Sequence, residues 1–198
     1  KDYYEQHPSK FTNVTNGITH RRRVQQANPG LSALLCDTIG TSWIKDASNL
    51  KKFENYKSDA AVLERLQKVK RENKERLADY IKANNNVVVN PDSIFDIQSK
   101  RLHEYKRQLL NAMNILNTYY DLKDNPNLDI CPRTFVFGAK AASSYYMAKQ
   151  IIRFICQLGE VINNDKSIND KLKVVFLENY RVSLAEIMMP AAEISEQI

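Results

Sequence analysis

The sequence predicts an α/β fold in which a Rossmann-like parallel sheet carries helices on both faces. Three short apolar segments, at 94–97, 134–137 and 173–177, alternate with stretches whose apolar residues recur every three or four positions. Strands that alternate with helices of ten or more residues form parallel sheets through right-handed crossovers. The 198 residues, 43% hydrophobic and 26% charged, suffice for one domain or a large part of one.

Two helices are predicted before the first strand, after an opening segment that carries turn residues and no clear period. The first is short and ends at Gly40, with apolar positions Leu31, Leu34, Leu35 and Ile39. The second runs from about 59 to 82, with apolar positions Val62, Leu66, Val69, Leu77 and Tyr80. The charged residues between these positions are expected to form a solvated face.

The sheet is predicted to begin after the asparagines at 84–86. Residues 87–89 and 94–97 are expected to be extended, because Pro91 prevents a continuous helix and β-branched residues favour strands. The next helix ends near 124–127, and its apolar stripe is Leu109, Met113, Leu116 and Tyr120.

Two further strand–helix units follow. The strand at 134–137 ends at Gly138, and the helix behind it is lined by Ala148, Ile151, Ile155, Leu158 and Ile162. The strand at 173–177 precedes a helix from Ser183 to Met189, which Pro190 limits.

The loops after the three strands, at 99–106, 138–144 and 178–182, are the expected ligand-binding segments. In open parallel sheets, ligands bind beyond the carboxyl ends of the strands. The chain has five glycines and neither a Gly-x-Gly-x-x-Gly nor a Walker motif. A phosphate group would therefore be held mainly by side chains and helix N-termini.

The net charge of +6 indicates an anionic partner, which could be a nucleic acid, a phosphate or a neighbouring acidic domain. The dense basic runs are 21–23 and 100–107, and neither is interleaved with the several aromatic residues of a single-strand stacking platform. Small phosphates are favoured over nucleic acid, which is not expected as a partner. The run at 21–23 is interpreted as structural or surface.

The remaining composition favours a cytoplasmic protein without a membrane partner. No apolar run approaches the ~18–20 residues of a membrane helix, and no signal peptide is recognised. The three cysteines, Cys36, Cys131 and Cys156, are widely separated and odd in number, which indicates reduced thiols. No His, Cys or Asp cluster has metal-ligand spacing, so no metal is expected.

Six runs of the sequence resemble the α-glucan (glycogen/starch) phosphorylases, in the family's order and over essentially all 198 residues. One of them contains Lys-Arg-Leu-His-Glu-Tyr-Lys-Arg at 100–107, and the six lie at 15–22, 28–31, 93–98, 100–111, 132–142 and 171–186. The resemblance implies a partial C-terminal domain, residues 1–198, of a GT-B type glycosyltransferase. It also implies retaining glucosyl transfer from an α-1,4-glucan to inorganic phosphate, which gives glucose 1-phosphate, with pyridoxal 5'-phosphate as cofactor.

The resemblance assigns the phosphate-handling and catalytic roles to the run at 100–107. Lys100 and Lys106 would approach the cofactor phosphate, and Arg101 would hold the substrate phosphate. Arginine suits this role because its planar fork binds phosphate through two hydrogen bonds, whereas lysine is a compact point charge. The expected catalytic residues are Arg101, Tyr105 and Lys106.

The same resemblance assigns the contacts to sugar and cofactor ring. Tyr105 and Asn16 match positions that contact the glucosyl unit. With Arg101, which would hold the substrate phosphate, they form the expected substrate-binding set. Tyr180, Arg181 and Val182 match positions that line the pyridoxal ring, and with Lys100 and Lys106 they complete the expected cofactor-binding set.

The sequence departs from the family pattern in two places and lacks two expected parts. Arg23 stands where the family has Trp, and Ser143-Ser144 stand where it has Pro-Gly. The family's cofactor lysine lies in a Gly-Thr-Gly-Asn-Met-Lys run beyond the position of Ile198, and the N-terminal domain is also expected to be absent. The 198 residues alone are therefore predicted to have no phosphorylase activity, whereas the full-length protein is expected to be a homodimer.

Two other classes of function compete with a phosphorylase. A non-catalytic phosphate- or nucleotide-binding module would keep its phosphate affinity without the downstream lysine run. A basic nucleic-acid-binding domain would bind with an affinity that falls steeply with salt.

Overall fold

The computed structural model describes residues 1–14 and 17–196, and its centre is a parallel sheet. The strands are β1 (Ile94–Ser99), β2 (Arg133–Gly138), β3 (Leu172–Leu177) and β4 (Ile194–Ser195), in the order β3-β2-β1-β4. Three strands match the predicted apolar segments, and every pairing is parallel. The prediction missed β4, because two residues carry no recognisable period. Residues 87–89, expected to be extended, pair with none of the described strands.

The described residues form six α-helices. They are α1 (Asp2–Gln6), α2 (Pro29–Ile39), α3 (Ala60–Asn85), α4 (Gln108–Asp124), α5 (Tyr146–Asn164) and α6 (Val182–Ala191). Shorter helical segments are the π-helix Arg21–Gln26 and the 3₁₀ segments Pro8–Lys10, Ser42–Ile44, Ala47–Tyr56, Glu104–Lys106 and Lys166–Ile168. The predicted helices are confirmed, but α6 continues through Pro190 and does not stop before it.

Helices cover both faces of the sheet, as predicted. On one face, α4 and α5 pack against Phe135 and Phe137, and on the other, α3 and α6 pack against Val136. Because successive strand residues point to opposite faces, a strand buried on both faces is a continuous apolar run. This double burial explains why the strands lack the apolar–polar alternation of a half-exposed sheet.

The predicted apolar stripe of α4 was wrong at three of its four positions, whereas Leu116 packs against the core. Leu109, Met113 and Tyr120 are exposed, and the buried positions of this helix include Ala112 and Ile115. The helix carries apolar residues on more than one side, so spacing alone could not show which side meets the sheet.

The prediction that the charges of α3 form a solvated face was also partly wrong. Lys74 is buried, and its Nζ donates to Ser93 O over 2.8 Å and to Glu193 Oε1 over 2.6 Å. Lys70 is partly buried and donates to Pro190 O and Ala192 O. These lysines hold the segment that leads from α6 into β4, and the partners became visible only in the folded chain.

Within the described ranges, none of the helices combines the length and apolarity that crossing a membrane would need.

Candidate phosphate and cofactor site

The carboxyl ends of β1, β2 and β3 lie at one edge of the sheet, so the three predicted loops meet there. Leu102 N, in the loop after β1, donates to Lys140 O, in the loop after β2, over 3.0 Å. Gly138, at the end of β2, lies so close to the third loop that an added Cβ would be 3.2 Å from Tyr180 Cδ2. The strand order reverses between β1 and β4, and such reversals open a crevice in parallel sheets.

A cavity of about 620 Å³ lies at this edge, between the π-helix and α6. Its apolar lining includes Tyr180, Val182, Ala185, Met189 and Pro190. Its cationic lining consists of Lys100, Arg22 and Arg23. Ligand pockets commonly combine an apolar wall with a few placed polar groups, and their volumes range from ~300 to 1,000 Å³.

The π-helix forms the cavity wall opposite α6 and is fixed at its N-terminal end. His20 Nε2 is 3.0 Å from Ile44 O, and the His20 ring packs against the buried Trp43. Arg22 Nε donates to Glu186 Oε1 of α6 over 2.6 Å, which joins the two walls. π-Helical turns occur frequently at functional sites.

The charges of the cavity favour an anionic ligand. Among the described residues of the lining, three are cationic and one, Glu186, is anionic, and its carboxylate is paired with Arg22. Lys100 and Arg23 therefore leave a net positive charge beside an apolar wall. This lining fits a flat aromatic ring that carries a phosphate group, because the ring would contact the apolar wall while the phosphate meets cations.

The basic run at 100–107 forms a tight turn between β1 and α4. Glu104–Lys106 is a 3₁₀ turn, and Arg107 has φ 61° before α4 begins. Two buried glutamines support the turn from behind: Gln98 Nε2 donates to Lys106 O over 3.4 Å, and Gln108 Nε2 donates to Arg101 O over 3.3 Å.

The loop after β2 also contacts this turn. Tyr145 Oη donates to Glu104 Oε2 over 2.7 Å and accepts from Glu104 N over 3.2 Å. The His103 ring lies between two tyrosines, with its centroid 5.4 Å from the ring of Tyr105 and 5.8 Å from that of Tyr145. Tyr145 directly follows Ser143-Ser144, where the sequence departs from the pattern that it resembles. The segment therefore contacts the turn despite this departure.

The structure brings three predicted site residues, Lys100, Tyr180 and Val182, together in the cavity. It places the other four described ones outside that lining. Arg101 and Tyr105 are exposed in the turn, and Lys106 Nζ lies 5.6 Å from the centroid of the Tyr105 ring.

Arg181 lines a separate cleft of about 270 Å³ with Tyr80 and Asn84, and its Nη1 is 3.4 Å from Asn179 O. Asn16 lies outside the described residues. The predicted roles of all eight site residues, Lys100, Tyr180 and Val182 included, remain predictions.

Sequence reasoning interpreted Arg22 and Arg23 as structural or surface residues and did not place them at the cavity. Both line the cavity, and Arg23 does so at the position where the family pattern has Trp. The density of charge in the run at 21–23 was visible in the sequence. The approach of this run to α6, 160 residues later, was not.

The fold is a doubly wound α/β domain. Its cavity is cationic and partly apolar and lies where the strand order reverses, so the domain is suited to binding phosphate compounds.

The comparisons with known proteins define the family. The model of one protein family, described as carbohydrate phosphorylase, matches residues 1–198. The chain is 50% identical to the glycogen phosphorylase of Bacillus subtilis (strain 168), with 100% of this chain and 25% of that protein covered. It is 49% identical to the muscle form of glycogen phosphorylase of Oryctolagus cuniculus, with 100% and 24% covered.

The chain belongs to the carbohydrate phosphorylase family, whose members have a GT-B glycosyltransferase fold. It spans about a quarter of the length of the curated relatives that it matches.

Proposed function

We propose that these residues are the phosphate- and cofactor-holding part of the C-terminal domain of an α-1,4-glucan phosphorylase. The complete enzyme would transfer the terminal glucosyl unit of glycogen or starch to inorganic phosphate with retention, and so release glucose 1-phosphate. The observation that carries this proposal is the cavity in which Lys100, Arg23, Tyr180 and Val182 meet. Family membership over the whole chain supports it.

Pyridoxal 5'-phosphate is the proposed cofactor, and the cavity lining fits it. Tyr180, Val182 and Met189 would contact its ring, while Lys100 would face an anionic substituent. When bound, this cofactor supplies a phosphate group that exchanges a proton with the substrate phosphate. The attachment lysine is proposed to lie beyond Ile198.

The cations of the turn at 100–107 are proposed to hold two phosphates side by side. Two unit like charges ~4 Å apart repel by roughly 4 kcal/mol at an effective dielectric of 20, and phosphates carry more charge than this. Lys100 and Lys106 would offset the charge of the cofactor phosphate, and Arg101 would bind the substrate phosphate. Support for these roles comes from the family motif and from the position of the turn beside the cavity.

The glucosyl unit is proposed to contact Tyr105 and Asn16, and Arg181 to contribute to the cofactor site. Tyr105 is exposed at the same edge of the sheet as the cavity, so a sugar could reach its hydroxyl group. A cytoplasmic location and a homodimer of the complete protein are further proposals, and the free thiols of all three cysteines fit the first of them.

The test is an assay of the complete natural chain that carries these residues, with glycogen and inorganic phosphate as substrates. We expect glucose 1-phosphate to form, and Arg101→Gln to reduce its formation far more than Lys68→Met, which changes an exposed cation on α3. The 198 residues alone are expected to form none. Phosphate binding by the complete chain without glucosyl transfer would identify a binding module and refute the proposal.

A further inference from the structure

A single arginine of α3 binds both walls of the cavity. Arg76 Nη2 donates to Ala27 O, just after the π-helix, over 3.1 Å and to Glu186 O of α6 over 3.0 Å. Ala27 and Glu186 both line the cavity. The guanidinium thus fixes the spacing of the two walls through their backbones.

The carbonyl of Glu186 needs a donor from outside its own helix. In an α-helix this oxygen would accept from the N–H group four residues later, and that residue is Pro190, which lies inside α6. Proline has no N–H group, so the helix itself leaves Glu186 O without its donor. Arg76 supplies a hydrogen bond where the helix cannot.

The same helix end receives a second cation from α3. Lys70 Nζ donates to Pro190 O over 2.8 Å and to Ala192 O over 2.7 Å. The last carbonyls of a helix lack intrahelical partners, and a cation near them also opposes the helix dipole. Arg76 and Lys70, both on α3, therefore bind the part of α6 that contains Met189 and Pro190, two residues of the cavity lining.

We propose that Arg76 is a positioning residue of the cavity, and that it replaces the hydrogen bond that Pro190 removes from α6. It acts through backbone carbonyls and does not contact the ligand. Its role in the reaction rests on the proposed function. The hydrogen-bond replacement rests on the geometry alone.

A thermal double-mutant cycle in the 198-residue chain tests the replacement. Arg76→Met is expected to lower Tm by about 5 °C, since it removes two hydrogen bonds and each is expected to shift the Tm of a domain of this size by about 2–4 °C. In a Pro190→Ala background, residue 190 can donate to Glu186 O, so the same substitution is expected to cost about half as much, because only the bond to Ala27 O is then lost without replacement. Equal losses in the two backgrounds would overturn the proposal.

Two further variants keep the cycle interpretable. Lys68→Met removes an exposed cation from the same helix and is expected to leave Tm unchanged in both backgrounds. Arg76→Lys keeps the charge, but a single ammonium on a shorter side chain cannot bridge both carbonyls, so an intermediate Tm is expected. It replaces Arg76→Met in the cycle if that variant does not fold.

The positioning role is tested in the complete natural chain by the visible absorption of added pyridoxal 5'-phosphate. Arg76→Met is expected to weaken the affinity for pyridoxal 5'-phosphate about fivefold. Without the arginine the two walls can shift, and a small shift of the residues that line a site weakens their contacts with the bound molecule. The loss should be smaller in the Pro190→Ala background. A lower Tm with unchanged affinity would show a merely structural role and overturn the positioning role.

Failure of the proposed function can be distinguished from failure of the hydrogen-bond replacement. If the unmodified complete chain neither binds pyridoxal 5'-phosphate nor forms glucose 1-phosphate, the proposed function fails and the positioning role is overturned with it. The thermal cycle still decides whether Arg76 replaces the missing hydrogen bond of Pro190.

Discussion

Replacing Asp96 with Asn should stabilise the folded chain at neutral pH. Asp96 lies in β1 and is 4% exposed. Within residues 1–14 and 17–196 its Oδ1 has no hydrogen-bond partner, and its Oδ2 is 3.7 Å from Arg133 Nη1, beyond normal hydrogen-bond length. Burial and, to a smaller extent, the neighbouring Glu196 carboxylate raise the pKa of Asp96 to about 6, and Arg133 acts in the opposite direction.

The size of the effect follows from the two pKa values. The ordinary value is 3.8, and a rise to about 6 corresponds to about 3 kcal/mol, at about 1.4 kcal/mol per unit. The unfolded chain loses this proton first as the pH rises, while the folded chain holds it until about pH 6. The stabilising contribution of protonated Asp96 is therefore fully present below pH 3.8 and is lost as the pH rises through about 6.

Urea denaturation at pH 4.5 and pH 7.5 measures the difference. The asparagine side chain does not ionise, so the variant avoids the cost of a buried charge. Relative to the unsubstituted chain, its free energy of unfolding should be higher by about 3 kcal/mol at pH 7.5 and by about 1 kcal/mol at pH 4.5. Asp79→Asn, at an exposed position of α3, serves as the control and should show no such gain. An Asp96→Asn variant less stable than the parent at pH 7.5 would show that attraction to Arg133 outweighs burial, and the reasoning would be refuted.

Three further substitutions test the packing and the cavity. Gly159→Ala would place a Cβ 2.9 Å from Val174 O, a backbone atom that cannot move alone, so urea denaturation should show a loss of about 2 kcal/mol; Gly17→Ala, with open space around it, should show none. Lys74→Met removes the ammonium that binds Glu193 Oε1 and Ser93 O, while Glu193 Oε2 keeps its hydrogen bond from Phe95 N, so it should cost about 2 kcal/mol in the same measurement; a cost below about 0.5 kcal/mol would contradict this account. Arg23→Leu removes a cation from the cavity and should weaken binding of pyridoxal 5'-phosphate to the complete chain about 10-fold by titration. The neighbouring Arg21→Leu is the control, and equal effects of the two would contradict a specific role for Arg23.

Much of the candidate site could be predicted because the residues that carry it are contiguous. The turn at 100–107 follows an apolar strand, and its position at the carboxyl end of that strand follows from parallel topology. The grouping of Lys100 with Tyr180 and Val182 in one cavity was expected from the loops after β1 and β3. Prediction failed where a partner lay far away in sequence, as with Arg22 and Glu186, because no local pattern records such a contact.

The helices show the same limit. The existence and the end of α4 followed from the spacing of its apolar residues and from the turn residues after it, but its apolar residues occupy more than one side, so only packing selected Ile115 over Leu109 for burial. The buried lysine of α3 was mistaken for a solvated residue, because its carbonyl and carboxylate partners come from the residue before β1 and the residue before β4.

The sequence by itself determined the alternation of strands and helices, the three loops at the sheet edge and the family to which the chain belongs. Hydrophobic period and contiguous motifs are local properties, and a linear chain records them in full. Only the tertiary structure decided that Arg22 and Arg23 face Lys100 across one cavity, and that Arg76 donates to the carbonyl that Pro190 leaves without a partner. Such contacts join residues up to 164 positions apart, and the free energy that selects them comes from burial and hydrogen bonding of the whole domain.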